Sequence, residues 1–290
     1  MRTLGAVVAI CAALIAGGCG SSGSTARSTP GAPAAPARTA TAASACVSTG
    51  RGSTSKVPGA PLDTILRVPA AARAKPAPLV LALHFGSGTG AQMEQVTRLT
   101  PQARRSGFVV AYPSSTSPGL WAGAEEIPAV MRTLSAIERV ACIDARRVYL
   151  TGISNGGGMA KVLACRLADR FAGVVLFAPA ISGIGDCKPS RAISMLEIHG
   201  SADPLVPYAA IPGVVAAWAR LDGCSPAPRS ASLGSVVTRQ RWHGCRGGAA
   251  VEHLRLAGGK HIELLPELRA AGVDPARTAW RFLAPHRLPA

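Results

Sequence analysis

The chain has 290 residues, 48% of them apolar and 16% charged, with a net charge of +16. That apolar content is enough to fill the core of one full-sized domain. The basic residues are scattered singly or in pairs (Arg104-Arg105, Arg146-Arg147), without strips of basic and aromatic residues that would stack on bases. Nucleic acid is therefore not an expected partner, and the charge reads as a solvated surface.

The first elements concern export. Arg2 precedes an apolar run from Leu4 to Ala16, the length of a signal-peptide core and too short to span a bilayer. Ala16-Gly17-Gly18 then leads to Cys19, an arrangement that resembles the bacterial lipobox. The expectation is a signal peptide over residues 1–18, lipidation of Cys19 and membrane attachment through that lipid, each buried CH₂ contributing about 0.8 kcal/mol. Residues 19–45 are almost entirely Gly, Ser, Thr, Ala and Pro and read as a flexible tether. Residues 46–290 form the expected catalytic domain of an exported envelope lipoprotein or secreted protein.

Within that domain, apolar runs predict strands at Leu62–Val68, Leu79–His84, Phe108–Tyr112, Arg147–Thr151, Gly173–Phe177, Ile193–His199 and Val251–Leu256. Helical spacing predicts helices at Gln92–Ser106, Glu125–Ala141, Gly156–Ala168, Tyr208–Leu221 and Pro275–Phe282. Continuous apolar strands alternating with helices imply an α/β fold whose mostly parallel sheet is covered on both faces, with functional groups on loops at the carboxyl ends of the strands.

Beyond Cys11 and Cys19, six cysteines remain: Cys46, Cys142, Cys165, Cys187, Cys224 and Cys245. An even number in an exported chain predicts three disulfides, with fifteen connectivities open. Cys224 and Cys245 bracket a Pro-, Gly- and Ser-rich excursion and are expected to pair. Cys165–Cys187 and Cys46–Cys142 are taken for the rest. No two cysteines have C-x₂₋₄-C spacing, so no metal site is expected.

Gly152-Ile153-Ser154-Asn155-Gly156 follows a predicted strand and opens a predicted helix, as a nucleophile elbow requires. The turn needs small neighbours, exposes the Ser154 hydroxyl, and leaves the Asn155 backbone N–H at a helix N-terminus to face a developing oxyanion. This elbow points to the α/β-hydrolase fold, with a small cap or none, in which the chain order is serine, acid, histidine. Asp203 lies just past the strand ending at His199, and His261 follows the strand ending at Leu256, in Gly258-Gly259-Lys260-His261. They are the expected acid and base. Asp186 is a rival acid beside Cys187. His243 sits in the disulfide-bounded excursion and His286 in a frayed tail, whereas His84, His199 and His253 are assigned structural roles. Backbone N–H groups of Phe85 and Gly86 are the second candidate oxyanion donors.

LALHFGSGTG, GFVVAYPS, RRVYLTGISNGGGMAKVLACRLADRFAGVV, IHGSADPLVPY, LDGCSPAP, GCRGGA and AGGKH occur in that order from Leu79 towards the C-terminus. Together they resemble the secreted polyhydroxybutyrate depolymerase and feruloyl/acetylxylan esterase family, which includes actinobacterial lipoprotein esterases. The resemblance implies Ser154 as nucleophile, Asp203 as acid and His261 as base. The family often has glycine where Phe85 stands, and commonly Gly-His-Thr-Trp where this chain reads Lys260-His261-Ile262-Glu263. Without that tryptophan, Trp121, Trp242 and Ile262 are the candidates to line a substrate cleft. The expected activity is hydrolysis of short-chain, feruloyl, acetyl or polyhydroxyalkanoate esters through an acyl-enzyme, without metal or organic cofactor. The alternatives are a peptidase or thioesterase, or a non-catalytic envelope binding lipoprotein on the same fold.

Overall fold

The computed structural model describes residues 53–117, 119–181 and 187–290. The expected signal peptide, Cys19, the tether, Cys46 and Asp186 lie outside the described residues. In chain order the first half comprises β1 (Ser53–Thr54), β2 (Thr64–Arg67), β3 (Ala77–Leu83), α1 (Gly90–Thr97), α2 (Leu99–Ser106), β4 (Val109–Pro113), α3 (Ile127–Val140), β5 (Ile143–Ile153) and α4 (Ser154–Arg166). There follow β6 (Gly173–Phe177), β7 (Ser194–Gly200), α5 (Ile211–Leu221), β8 (Arg229–Leu233), β9 (Val237–Trp242), β10 (Val251–Leu256), α6 (Leu264–Ala270) and α7 (Pro275–Leu283).

The strands make one sheet in the order β1-β2-β4-β3-β5-β6-β7-β10-β9-β8. From β4 to β10 every neighbouring pair is parallel, while β1, β2, β9 and β8 join antiparallel at the two edges. Side chains of the central strands alternate between two apolar clusters. Leu79, Leu81, Val148, Leu150, Val174 and Leu176 join one. Val80, Ala82, Tyr149, Val175 and Phe177 join the other. Both faces of the sheet are therefore buried, and this is why the strands read as unbroken apolar runs.

Several expected elements are corrected. Gln92–Ser106 is two helices, broken at Arg98, whose φ is +56°. Pro101 explains the break: in a continuous helix its ring would meet the Thr97 carbonyl and its missing N–H would leave that carbonyl unpaired. In α2 it occupies the first turn, where neither matters. Pro128 and Pro212 act alike, so that α3 and α5 begin at Ile127 and Ile211 after short 3₁₀ turns at Gly123–Glu126 and Tyr208–Ala210. The excursion between Cys224 and Cys245 is a β-hairpin, β8–β9, turning at Gly234. Helix α6, absent from the expectation, begins directly after the loop carrying His261. The C-terminal tail is not frayed. Tyr149 Oη donates to His286 O (2.6 Å), and the Leu288 N–H donates to Arg146 O (2.9 Å).

Disulfides join Cys165 to Cys187 and Cys224 to Cys245. The first ties α4 to the segment preceding β7, and the second closes the base of the hairpin. Both are consistent with an oxidising compartment. Among the described residues no helix is long and apolar enough to cross a membrane.

Candidate functional site

Ser154 sits between β5 and α4 with φ of +53°, a left-handed conformation that costs a non-glycine residue about 1–2 kcal/mol. The surrounding glycines make this turn possible. A Cβ on Gly152 would lie 2.3 Å from Gly156 O, and one on Gly156 would lie 2.2 Å from His84 O and 2.3 Å from Leu83 O. Those carbonyls belong to the backbone and cannot swing aside, so only glycine lets α4 start this close to β3.

Two further strands deliver the partners. Asp203 follows β7 and His261 follows β10, both at carboxyl ends that lie level because β7 and β10 pair in parallel with Gly200 opposite Leu256. Asp203 Oδ2 accepts from His261 Nδ1–H (2.6 Å), and the Ser154 hydroxyl donates to His261 Nε2 (2.8 Å). An ionised carboxylate only accepts, so this contact assigns the imidazole proton to Nδ1 and leaves Nε2 free to take one. Asp203 Oδ1 accepts from the N–H groups of Leu205 (2.9 Å) and Val206 (2.8 Å). Burial pushes the Asp203 carboxyl up, but those N–H groups and His261 outweigh it and hold it below the usual carboxylate range.

The Asn155 N–H is a first-turn donor of α4 with no helical partner to expect. Opposite it lies the loop after β3, where a Cβ on Gly86 would touch Asn155 Cβ at 3.9 Å. In that loop the N–H of Ser87 is bonded to Gly119 O (2.6 Å) and that of Gly88 to Phe85 O (3.0 Å), whereas those of Phe85 and Gly86 enter no such bond among the described residues. His84 anchors the loop. Its Nδ1–H donates to Phe85 O (2.8 Å), and its Nε2 accepts from the Ser115 N–H (3.1 Å). Burial lowers its pKa, which keeps it neutral as this pattern requires.

Trp121 and Ile262 lie beside this centre and Trp242 does not. The Trp121 indole N–H donates to His84 O (3.0 Å), and its backbone N–H donates to Asn155 Oδ1 (2.7 Å). Trp121, Asn155, Gly158, Met159, Val162 and Arg166 line a cleft of about 350 Å³ along one face of α4. Ile262 is 80% exposed. Trp242, expected in the cleft, pairs with Val251 at the beginning of β10, the opposite end of the sheet, and packs into the core. Of the five exposed large apolar side chains among the described residues, three (Leu120, Leu205 and Ile262) lie within two positions of Trp121, Asp203 or His261 in the chain.

Two features were missed from the sequence. Lys161 is fully buried on α4, where its Nζ donates to Ala180 O (2.8 Å) and Ile181 O (3.2 Å), and burial lowers its pKa to about 8. The Ala180 N–H in turn donates to Ser154 O (2.9 Å), so Lys161 pins a loop that abuts the elbow. A lone charge in the apolar run GGGMAKVLAC was the available signal. The other is a buried polar chain behind Asp203, made of His199, Glu197, His253 and Tyr208. The i,i+4 spacing of His199 and Asp203 in HGSAD was its trace. No group of three His, Cys, Asp or Glu disposed to hold a metal ion occurs among the described residues.

Comparison with known proteins finds that the esterase PHB depolymerase family profile matches residues 62–219. Feruloyl esterase B of Piromyces equi is 26% identical over 243 residues, covering 74% of this chain and 43% of that protein. The putative esterase NocK of Nocardia uniformis subsp. tsuyamanensis is 30% identical over 189 residues, covering 61% of this chain and 54% of the other. The chain thus spans about half the length of these curated relatives. Among solved structures, the acetyl xylan esterase from Aspergillus awamori superposes with a TM-score of 0.61 at 17% identity, over 76% of this chain and 98% of that one. The shared architecture is the α/β-hydrolase fold.

Proposed function

The chain belongs to the esterase PHB depolymerase family, and on that premise we propose that it hydrolyses carboxylic esters through a covalent acyl-serine. The observation that carries this reading is the continuous relay Ser154 Oγ–His261–Asp203, with spans of 2.8 and 2.6 Å. His261 Nε2 takes the hydroxyl proton as Ser154 Oγ attacks the ester carbonyl. Asp203 holds the imidazole in the tautomer that can accept and stabilises the imidazolium that results. The N–H groups of Asn155 and of Phe85 or Gly86 receive the oxyanion. His261 returns the proton to the departing alcohol, and a water activated at the same nitrogen releases the acid and restores the serine.

The exposed apolar rim and the cleft beside Trp121 support short acyl, feruloyl, acetyl or hydroxyalkanoate esters as the substrate class. Trp121 and Ile262 are their contacts, and Cys19 carries the lipid that holds the enzyme at a membrane. Ser154→Ala should abolish both p-nitrophenyl acetate hydrolysis and labelling by a fluorophosphonate. Retained turnover would assign another nucleophile. A panel of the four ester types then ranks the substrates, and detergent partitioning of the wild type against Cys19→Ala tests the anchor.

A further inference from the structure

The acid has a second histidine. His199 is fully buried, with Nδ1 2.8 Å from Glu197 Oε1 and Nε2 3.0 Å from Val206 O and 3.1 Å from Asp203 Oδ2. Val206 O can only accept, so Nε2 must carry a proton. On the other side stands a carboxylate, which also accepts from His253 Nδ1–H (2.5 Å) through Oε2. Both ring nitrogens of His199 therefore face acceptors, the arrangement of an imidazolium between two carboxylates.

We propose that His199, protonated on both nitrogens and clamped between Glu197 and Asp203, is a positioning residue that shares the Asp203 carboxylate with His261 and sets how acidic a solution the relay tolerates. This rests on the esterase reading above. Asp203 Oδ2 accepts from His261 and lies 3.1 Å from His199 Nε2, an ion contact rather than a second hydrogen bond, while Oδ1 receives two backbone donors; the backbone donors hold the carboxylate facing His261. The positive charge of His199 also offsets part of the Asp203 charge that faces the relay.

The anionic groups packed around His199 favour this state, and the remaining charged or titratable groups lie one partner further out. Glu197 comes from its own strand and Asp203 from the loop beyond. From β10 comes His253, whose Nε2 is 3.0 Å from Tyr208 Oη, together with Arg255, 5.6 Å above the Tyr208 ring. The Tyr208 ring centroid lies 6.1 Å from that of His199, and Lys161 of α4 acts on Glu197. Burial disfavours the His199 cation, but the Glu197 carboxylate overcomes it and raises His199 above the usual histidine range. Burial likewise opposes the Glu197 anion, and the two histidines overcome it.

The test has two readouts. In His199→Gln the acidic limb of kcat/KM should move up by about one to two pH units, the effect of removing one unit charge several ångströms away at an effective dielectric constant of about 20. In the double variant Glu197→Gln/His199→Gln the opposing charge is gone as well, and the limb should move less. A purely structural role would lower Tm in both variants and leave the limb in place, which would overturn the proposal. The second readout uses the wild type and needs no turnover. Nitrogen-15 NMR of labelled histidine should show His199 protonated on both nitrogens at pH 7. An unprotonated ring nitrogen there overturns the proposal even if the variants do not fold, whereas an inactive wild type with a doubly protonated His199 would refute only the esterase reading.

Discussion

Replacing Ser154 by alanine and, separately, by glycine divides the chemistry of the hydroxyl from the strain of the backbone that carries it. Both variants lose the 2.8 Å hydrogen bond to His261 and the attacking oxygen, so both should be inactive toward p-nitrophenyl acetate. They differ only in the Cβ, and φ at this position is +53°. Relieving a left-handed non-glycine residue returns about 1–2 kcal/mol, and the greater unfolded-state freedom of glycine takes back about 0.5–1 kcal/mol. The glycine variant should therefore be the more stable by about 0.5–1 kcal/mol, a Tm higher by about 1–4 °C for a domain of this size. Differential scanning calorimetry of the pair under one buffer reads the difference directly. A glycine variant melting at or below the alanine variant would refute the argument that the elbow stores strain.

Gly156→Ala puts a methyl group 2.2 Å from His84 O, so α4 must retreat by about 1 Å. A displacement of that size should reduce kcat/KM roughly a hundredfold and stability by about 1–3 kcal/mol; near-wild-type turnover would show that the close approach is dispensable. Removing the Cys165–Cys187 bridge, which spans 22 positions, by a double alanine substitution should cost about 2–4 kcal/mol, seen as a lower urea midpoint, and an unchanged midpoint would contradict it. Asp222 is buried, accepts from the Ile193 N–H (3.2 Å) through Oδ1 and has an unpaired Oδ2; burial raises its pKa to about 7. Between about pH 4 and 7 the folded state then binds more protons than the unfolded state, so this group makes stability fall as pH rises, by up to about 1.4 kcal/mol per unit. Asp222→Asn keeps the acceptor and should flatten that slope in denaturant titrations from pH 4.5 to 8; parallel slopes for the two proteins would rule the group out.

The parallel core was legible in the sequence because both faces of its strands are covered, leaving unbroken apolar runs such as Leu79–Leu83. The hairpin was not, because β8 is an exposed edge whose sequence RSASL has a single large apolar residue. Its ladder is made by peptide groups, which no side-chain pattern records. Helix starts were misread at Pro101, Pro128 and Pro212, each in a first turn, whereas Pro275 marked the start of α7. Ser154, Asp203 and His261 stand out in sequence because each follows a strand at a small-residue turn. The contact of His253 with Glu197 depends on β7 and β10 being neighbours, with His253 opposite Glu197, a register no single segment encodes. Trp242 was misplaced for the same reason.

The hairpin's outer strand has a consequence for handling the protein. Among the described residues β8 ends the sheet, so one row of its peptide groups has no neighbouring strand there and offers a template on which a second molecule could add. Arg229 on that strand and Arg239 on the next give each such edge like charges, and two edges approaching one another repel. That repulsion reaches about 10 Å at 0.1 M salt but only about 3 Å at 1 M. Concentrated salt therefore removes the guard while leaving the template intact, and self-association through this edge should set in there first.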